Sequence, residues 1–251
     1  MKKTVFITGA TSGIGRACAQ KFAQNNYNII ITGRRAELLQ TLKKEIENEH
    51  AVEVKTLCFD VQNKQAVFSA FASLENNTNI DILINNAGLA LGRDAFDEAD
   101  IDDWETMINT NINGLLYTSR AAIPYLKKTS GHIINLGSIA GKEVYENGNV
   151  YCASKFAVNA ISQSMRIDLL KHNIKVTSIN PGAAETEFSL VRFKGNEEKA
   201  DATYKNYIPL TANDIADTIF YCATLPAHVC INDLTITCLQ QANSTTFNKT
   251  L

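Results

Sequence analysis

The chain has 251 residues, 45% of them hydrophobic, and a net charge of −2 at pH 7. That length suits one large α/β domain with a proper core. The near-neutral charge argues against nucleic acid or an acidic membrane surface as partner, and no apolar run approaches the ~18 residues that span a bilayer.

The opening "MKKTVFITGA" sets two lysines before an apolar patch, but the patch ends at Ile7. It is short of the ~7–15-residue apolar region of an export signal, so it predicts a first strand in a cytoplasmic protein. A helix follows from about Ile14. "YNIIITG" then precedes "AELLQTLKKEIENE", in which Leu38, Leu42 and Ile46 recur at helical spacing. "VEVKTLCFD" leads to "KQAVFSAFASL", and "IDILINNAG" leads, after a loop, to one long helix through Trp104 and Tyr125. "GHIINLGS" precedes a helix carrying Tyr151. "IKVTSINPG" opens a polar segment before the helix "ANDIADTIFYCATL", and "VCINDLTITCL" reads as the last strand.

Seven near-continuous apolar strands joined by helices predict a parallel sheet covered on both faces. The expected fold is α/β, a doubly wound Rossmann fold with a seven-stranded parallel sheet flanked by helices, forming a single domain over residues 1–251. The segment 183–208 is too long for an ordinary connection and is assigned to a substrate loop. The polar tail, 240–251, is either frayed or docked on a neighbouring subunit.

The six cysteines are scattered, with no C-x-x-C and no histidine nearby at metal-ligand spacing. Neither a metal site nor a disulfide framework is expected. Cys230 and Cys238 would share one strand face, too far apart there to bond. Sequons at Asn76, Asn243 and Asn248 carry no weight without a secretory route.

Directly after the first strand stands "TGATSGIG", Thr8 to Gly15. Glycines at a strand-to-helix turn let the backbone curl and approach a pyrophosphate, while the helix start presents free N–H groups. The spacing G-x-x-x-G-x-G differs from the commonest dinucleotide fingerprint, but its place between strand and helix points to a dinucleotide site built on Gly9, Thr11, Ser12, Gly13, Ile14 and Gly15. The second strand ends "TGRRAE", so Arg34 and Arg35 stand where an acid would hold a ribose 2′-hydroxyl. Arginine forks suit a 2′-phosphate, and cations are disfavoured at a helix start without such a reason. NADP(H) is therefore expected rather than NAD(H).

Together with Asp60-Val61, "NNAG" at 85–88, "NTNINGL" around Asn111, Ser138, Tyr151, Lys155 and "PG" at 181–182, this turn resembles the short-chain dehydrogenase/reductase family across essentially the whole chain. The resemblance assigns Asp60 and Val61 to the adenine and Asn86, Ala87 and Gly88 to the adenosine ribose side. It sets Pro181, Gly182 and Thr186 beside the nicotinamide, and makes Asn111, three residues before Gly114, the holder of a water linking Lys155 to solvent. "PGAAETEFSLVRFKGNEE" and "NVYCASKFAV" resemble the subgroup that oxidises serine, allo-threonine and related 3-hydroxy acids, 3-hydroxypropionate and 3-hydroxyisobutyrate among them, with NADP⁺ or reduces the matching semialdehydes. A departure is Glu143, where many relatives have proline; it is expected to alter that side of the pocket.

Hydride transfer at a carbinol carbon needs a proton donor or acceptor on the oxygen, and Tyr151 is the candidate. A free phenol has a pKa of ~10. Lys155 lies one helical turn on, and an ammonium ~5 Å away at an effective dielectric of ~20 is worth roughly 3 kcal/mol, about two pKa units. Ser138 would hydrogen-bond the same oxygen. Both Tyr151 and Lys155 also count among the cofactor contacts. A substrate carboxylate should meet Arg192 in the long loop, with Lys194 and Arg93 as rivals. Alternative readings are a reductase of 3-oxoacyl groups on carrier protein or of bulky apolar ketones, and, outside catalysis, an NADPH-sensing regulator. The family resemblance implies a homotetramer, with the tail reaching across a subunit boundary; the other partner is a small molecule.

Overall fold

In the computed structural model, which describes residues 2–75 and 77–250, β1 (Thr4–Ile7) feeds α1 (Gly13–Gln24), β2 (Asn28–Gly33) feeds α2 (Ala36–Glu49), and β3 (Val54–Cys58) feeds α3 (Lys64–Ala72). The sequon at Asn76 lies outside the described residues. The second half begins with β4 (Ile82–Asn85), α4 (Ile101–Ile108) and α5 (Leu115–Thr129). It continues through β5 (His132–Leu136), α6 (Asn149–Leu169) and β6 (Lys175–Pro181).

The seven-stranded sheet has the order β3-β2-β1-β4-β5-β6-β9, where β9 is Asp233–Ile236, and every pair is parallel. Strand alternation divides the core. Val5 and Ile7 pack on the side of α1 and α2, while Phe6 points to the side of α3 and α5. The connection reverses direction between β1 and β4, which opens a crevice at the carboxyl ends of these strands. A buried amide chain ties the second half: Asn85 donates to Ser119 and Asn135, each at 2.8 Å, and Asn135 donates to Ser162 at 2.9 Å.

Three expectations are refined here. The helix through Trp104 and Tyr125 runs unbroken from Ile101 to Thr129 but is not α-helical throughout, because Asn109–Gly114 widens into a π-helical turn between α4 and α5. Gly114 is pressed against Val61, with only 2.7 Å between an added Cβ and Val61 Cγ2. Such turns re-aim side chains at functional sites, and this one buries Asn111. The substrate loop is also structured. It holds β7 (Ala184–Glu185), α7 (Glu187–Arg192) and α8 (Glu197–Ala202), and β7 pairs with β8 (Leu210–Thr211) just before α9 (Ala212–Thr224). The last strand covers only Asp233–Ile236, so Cys230 and Cys238 fall outside it, and both are free thiols.

Candidate active site

At the carboxyl ends of the strands lies a cavity of about 690 Å³. Its floor is the glycine-rich turn. Thr8 Oγ1 accepts from the N–H groups of Asn86 and Ala87 at 3.0 and 2.9 Å, and the Asn86 amide donates back to the Thr8 and Gly9 carbonyls. Gly9 has φ +65°, and a Cβ on Gly15 would stand 2.4 Å from the Gly9 carbonyl oxygen. The turn is therefore a cradle that only glycine can form. Every residue expected to bind the cofactor lines the cavity except Gly15, which packs behind the turn. Arg34 pairs with Asp60 at 3.6 Å, and Arg35 donates to Thr11 Oγ1 and Ser12 Oγ at 2.9 and 3.0 Å. Two guanidinium groups at the end of β2, with the free N–H groups of the α1 start beside them, fit a dinucleotide carrying a 2′-phosphate.

Ser138, Tyr151 and Lys155 meet on the opposite wall, all buried. Ser138 follows β5 and its Oγ accepts from Ala140 N–H at 3.1 Å. Lys155 donates to the Leu136 carbonyl at 2.9 Å, with its ammonium 5.9 Å from the Tyr151 ring centre. Asn111 stands behind this wall. Its side chain accepts from Leu89 N–H at 2.9 Å and donates to Leu89 O and Ser154 Oγ, so it braces the strand-end segment after β4 and does not line the cavity.

The proton chemistry differs from the expected electrostatics. Burial pushes the Tyr151 phenol above its ordinary range, and the neighbouring half-buried phenol of Tyr145 adds to this; Ser138 and Arg192 pull the other way. Burial also pulls Lys155 down to about 8. Desolvation thus dominates at Tyr151 in the ligand-free enzyme, and its phenol is raised where an ammonium on the same helix face was expected to lower it.

Among the three cations considered for an anionic substrate, Arg192 alone stands beside the phenol. Its guanidinium lies 5.3 Å from the Tyr151 ring centre and donates to Tyr145 Oη at 3.0 Å. Arg93 also lines the cavity, 5.9 Å from the Tyr145 ring. Lys194 is turned away, held by Asp103 at 2.9 Å. One further expectation changes. Glu143 does not line the cavity; its carboxylate accepts from Ser244 N–H at 2.9 Å and so anchors the tail. The tail packs on its own chain, with Gln241 Oε1 accepting from Ala183 N–H at 2.8 Å and Phe247 against Tyr207 at 4.8 Å between ring centres. Tyr145, Phe188 and Gln241 are site residues that sequence reasoning missed. Tyr145 had a faint signal in its place between Ser138 and Tyr151, whereas Gln241 had none.

This geometry agrees with the known proteins that the chain resembles. The short chain dehydrogenase family profile matches residues 3–196. The chain belongs to that family. Among its relatives, the NADP-dependent 3-hydroxy acid dehydrogenase YdfG of Salmonella typhi is 48% identical over 231 residues, covering 91% of this chain and 92% of the relative. Sulfoacetaldehyde reductase 2 of Chromohalobacter salexigens is 44% identical over 245 residues, covering 96% of each. A solved structure described as the closed form of serine dehydrogenase complexed with NADP⁺ superposes with a TM-score of 0.91 at 44% identity, covering 98% of each chain. This short-chain dehydrogenase therefore shares its architecture with relatives nearly its own length.

Proposed function

We propose that this short-chain dehydrogenase transfers a hydride between NADP(H) and a small 3-hydroxy acid or the matching aldehyde. The observation that carries the substrate class is Arg192, a cation aimed beside the Tyr151 ring within the cofactor cavity. The bound nicotinamide supplies or accepts the hydride. Tyr151 donates its phenolic proton to the carbonyl oxygen in reduction and takes it back in oxidation. Ser138 donates a hydrogen bond to the same oxygen as charge develops. Lys155, held by the Leu136 carbonyl, stabilises the phenolate left on Tyr151. Arg192, oriented by Tyr145, holds the substrate's anionic group and so fixes the reacting carbon against the phenol. Asn111 positions the segment after β4, and Arg34 and Arg35 hold the 2′-phosphate.

A sulfonate-bearing aldehyde is the second reading, since a guanidinium accepts sulfonate oxygens as it does a carboxylate and sulfoacetaldehyde reductases stand among the relatives. A bulky apolar ketone or a carrier-bound acyl group is disfavoured because it leaves Arg192 facing the substrate without a charge partner. A pure NADPH sensor would have no use for Ser138, Tyr151 and Lys155 assembled on one wall. Turnover of L-serine, L-allo-threonine, 3-hydroxypropionate, 3-hydroxyisobutyrate, sulfoacetaldehyde and a cyclic alcohol, each with NADP(H) and NAD(H), tests these readings. Reaction of the cyclic alcohol alone would refute the anionic substrate.

The functional unit is a single domain working as a cytoplasmic homotetramer. Leu116 on α5 and Phe156 and Ile167 on α6 are exposed, and they supply the apolar contact that a tetramer would cover. Sedimentation as a monomer would refute the assembly. No helix among the described residues is long and apolar enough to cross a membrane.

A further inference from the structure

The short helix α7 touches both ends of the active site. At its start, Glu187 Oε2 accepts from Arg35 Nη2 at 3.1 Å, while the same guanidinium donates to Thr11 and Ser12 of the glycine-rich turn. Thr186, which caps α7 by accepting from Phe188 N–H at 3.2 Å, rests on Gly13; a Cβ there would stand 3.3 Å from Thr186 Cβ. At its other end Arg192 donates to Tyr145 and to the Gly92 carbonyl, and its own carbonyl accepts from Gly92 N–H at 3.0 Å. Between them Phe188 lies 5.7 Å from the Tyr151 ring centre. The six residues of α7 therefore join the cofactor cation to the substrate cation.

We propose that Glu187 is a positioning residue that couples occupancy of Arg35 to the placement of Arg192. This rests on the NADP(H) reading above. In the ligand-free enzyme Arg35 is shared by Glu187 and two hydroxyls, and a 2′-phosphate bound by Arg35 must sit beside the Glu187 carboxylate on the same fork. The two anions repel, so the pair weakens affinity for the phosphorylated cofactor and has no such effect on NAD(H). Its other consequence is mechanical. While Glu187 holds Arg35, the start of α7 is tied to the glycine-rich turn, and through α7 the Arg192 guanidinium is held against Tyr145. Loss of the carboxylate should therefore act in opposite directions at the two ends, tightening the cofactor and loosening the substrate.

The test compares wild type, Glu187→Gln, Arg35→Ala and the double variant. Fluorescence titration gives Kd for NADPH and NADH, and steady-state kinetics give KM and kcat for the best 3-hydroxy acid. Glu187→Gln should tighten NADPH about two- to fivefold, the range that an exposed ion pair is worth, and leave NADH unchanged. The same substitution in the Arg35→Ala background should change neither Kd. The hydroxy-acid KM should rise in Glu187→Gln with kcat nearly constant, a split that general loosening of the fold would not produce. Unchanged NADPH affinity, an equal change for NADPH and NADH, or tighter NADPH without a higher KM would each overturn the coupling. If wild type shows no preference for NADPH over NADH, the NADP(H) reading falls and the coupling falls with it; a preserved preference with an inert Glu187→Gln removes the coupling alone.

Discussion

The Arg192 guanidinium lies 5.3 Å from the ring of Tyr151, the group placed to move the proton. The cation reaches there from α7, while the phenol comes from α6, so two separate elements converge on one substrate-sized space. If Arg192 holds an anionic substrate, Arg192→Gln should lower kcat/KM for the 3-hydroxy acid by about ten- to hundredfold, mainly through KM, since hydrogen bonds to charged groups are worth ~1.5–3 kcal/mol. Turnover of a neutral cyclic alcohol, where measurable, should hardly change. Equal losses for both substrates would remove Arg192 from substrate recognition.

Removing only the phenolic oxygen isolates the proton step. Tyr151→Phe should reduce kcat by about 10²–10⁴, the span of general acid–base catalysis, while NADPH Kd stays near the wild-type value. The ring keeps its contact with Phe188, so the wall itself should hold. Substantial remaining turnover would mean that another group moves the proton.

Burial leaves Tyr151 protonated in the ligand-free enzyme, which suits donation in reduction and opposes uptake in oxidation. Oxidation should therefore speed up as pH rises from neutrality toward about 8, where Lys155 begins to lose its charge, because only the phenolate accepts the carbinol proton. Reduction should be nearly level across neutrality. A rate profile for hydroxy-acid oxidation that is flat or falls between neutrality and about pH 8 would contradict this role.

His132 offers a stability test away from the site. Burial, with Lys175 nearby, lowers its pKa from 6.5 to about 3, and its Nε2 lies 2.7 Å from Thr177 Oγ1. Between those values the unfolded chain binds more protons than the folded one, so stability falls as pH drops below about 6.5 and goes on falling toward 3. Chemical denaturation at stepped pH should show this slope, reduced in His132→Gln. Parallel slopes in the two proteins would assign the acid loss to other groups.

The cradle makes its own prediction. Gly15→Ala would place a methyl group 2.4 Å from the Gly9 carbonyl oxygen, and the turn must move to admit it. NADPH and NADH affinity should fall together, by about tenfold or more, because both share the pyrophosphate that the turn receives. Near-normal affinity by fluorescence titration would mean that the turn is softer than its packing implies.

The fold class, the seven strands, the glycine cradle and the Tyr151–Lys155 pair were all legible in the sequence. Each depends on short-range pattern: buried parallel strands are continuous apolar runs, a turn that approaches phosphate needs glycine, and residues four apart share a helix face. The order of the sheet and the π-helical turn that buries Asn111 were not. The partners of the loop cations are also distant in sequence: Lys194 pairs with Asp103, ninety-one positions earlier, and Arg192 gains its direction from Tyr145 and Gly92. The Glu187–Arg35 pair and the seating of Gln241 against Ala183 likewise join segments distant in the chain. The balance at Tyr151 was also decided by tertiary structure, because burial by the surrounding elements raises the phenol more than Ser138 and Arg192 lower it. Local pattern determined which groups this protein carries; long-range packing decided which of them face one another.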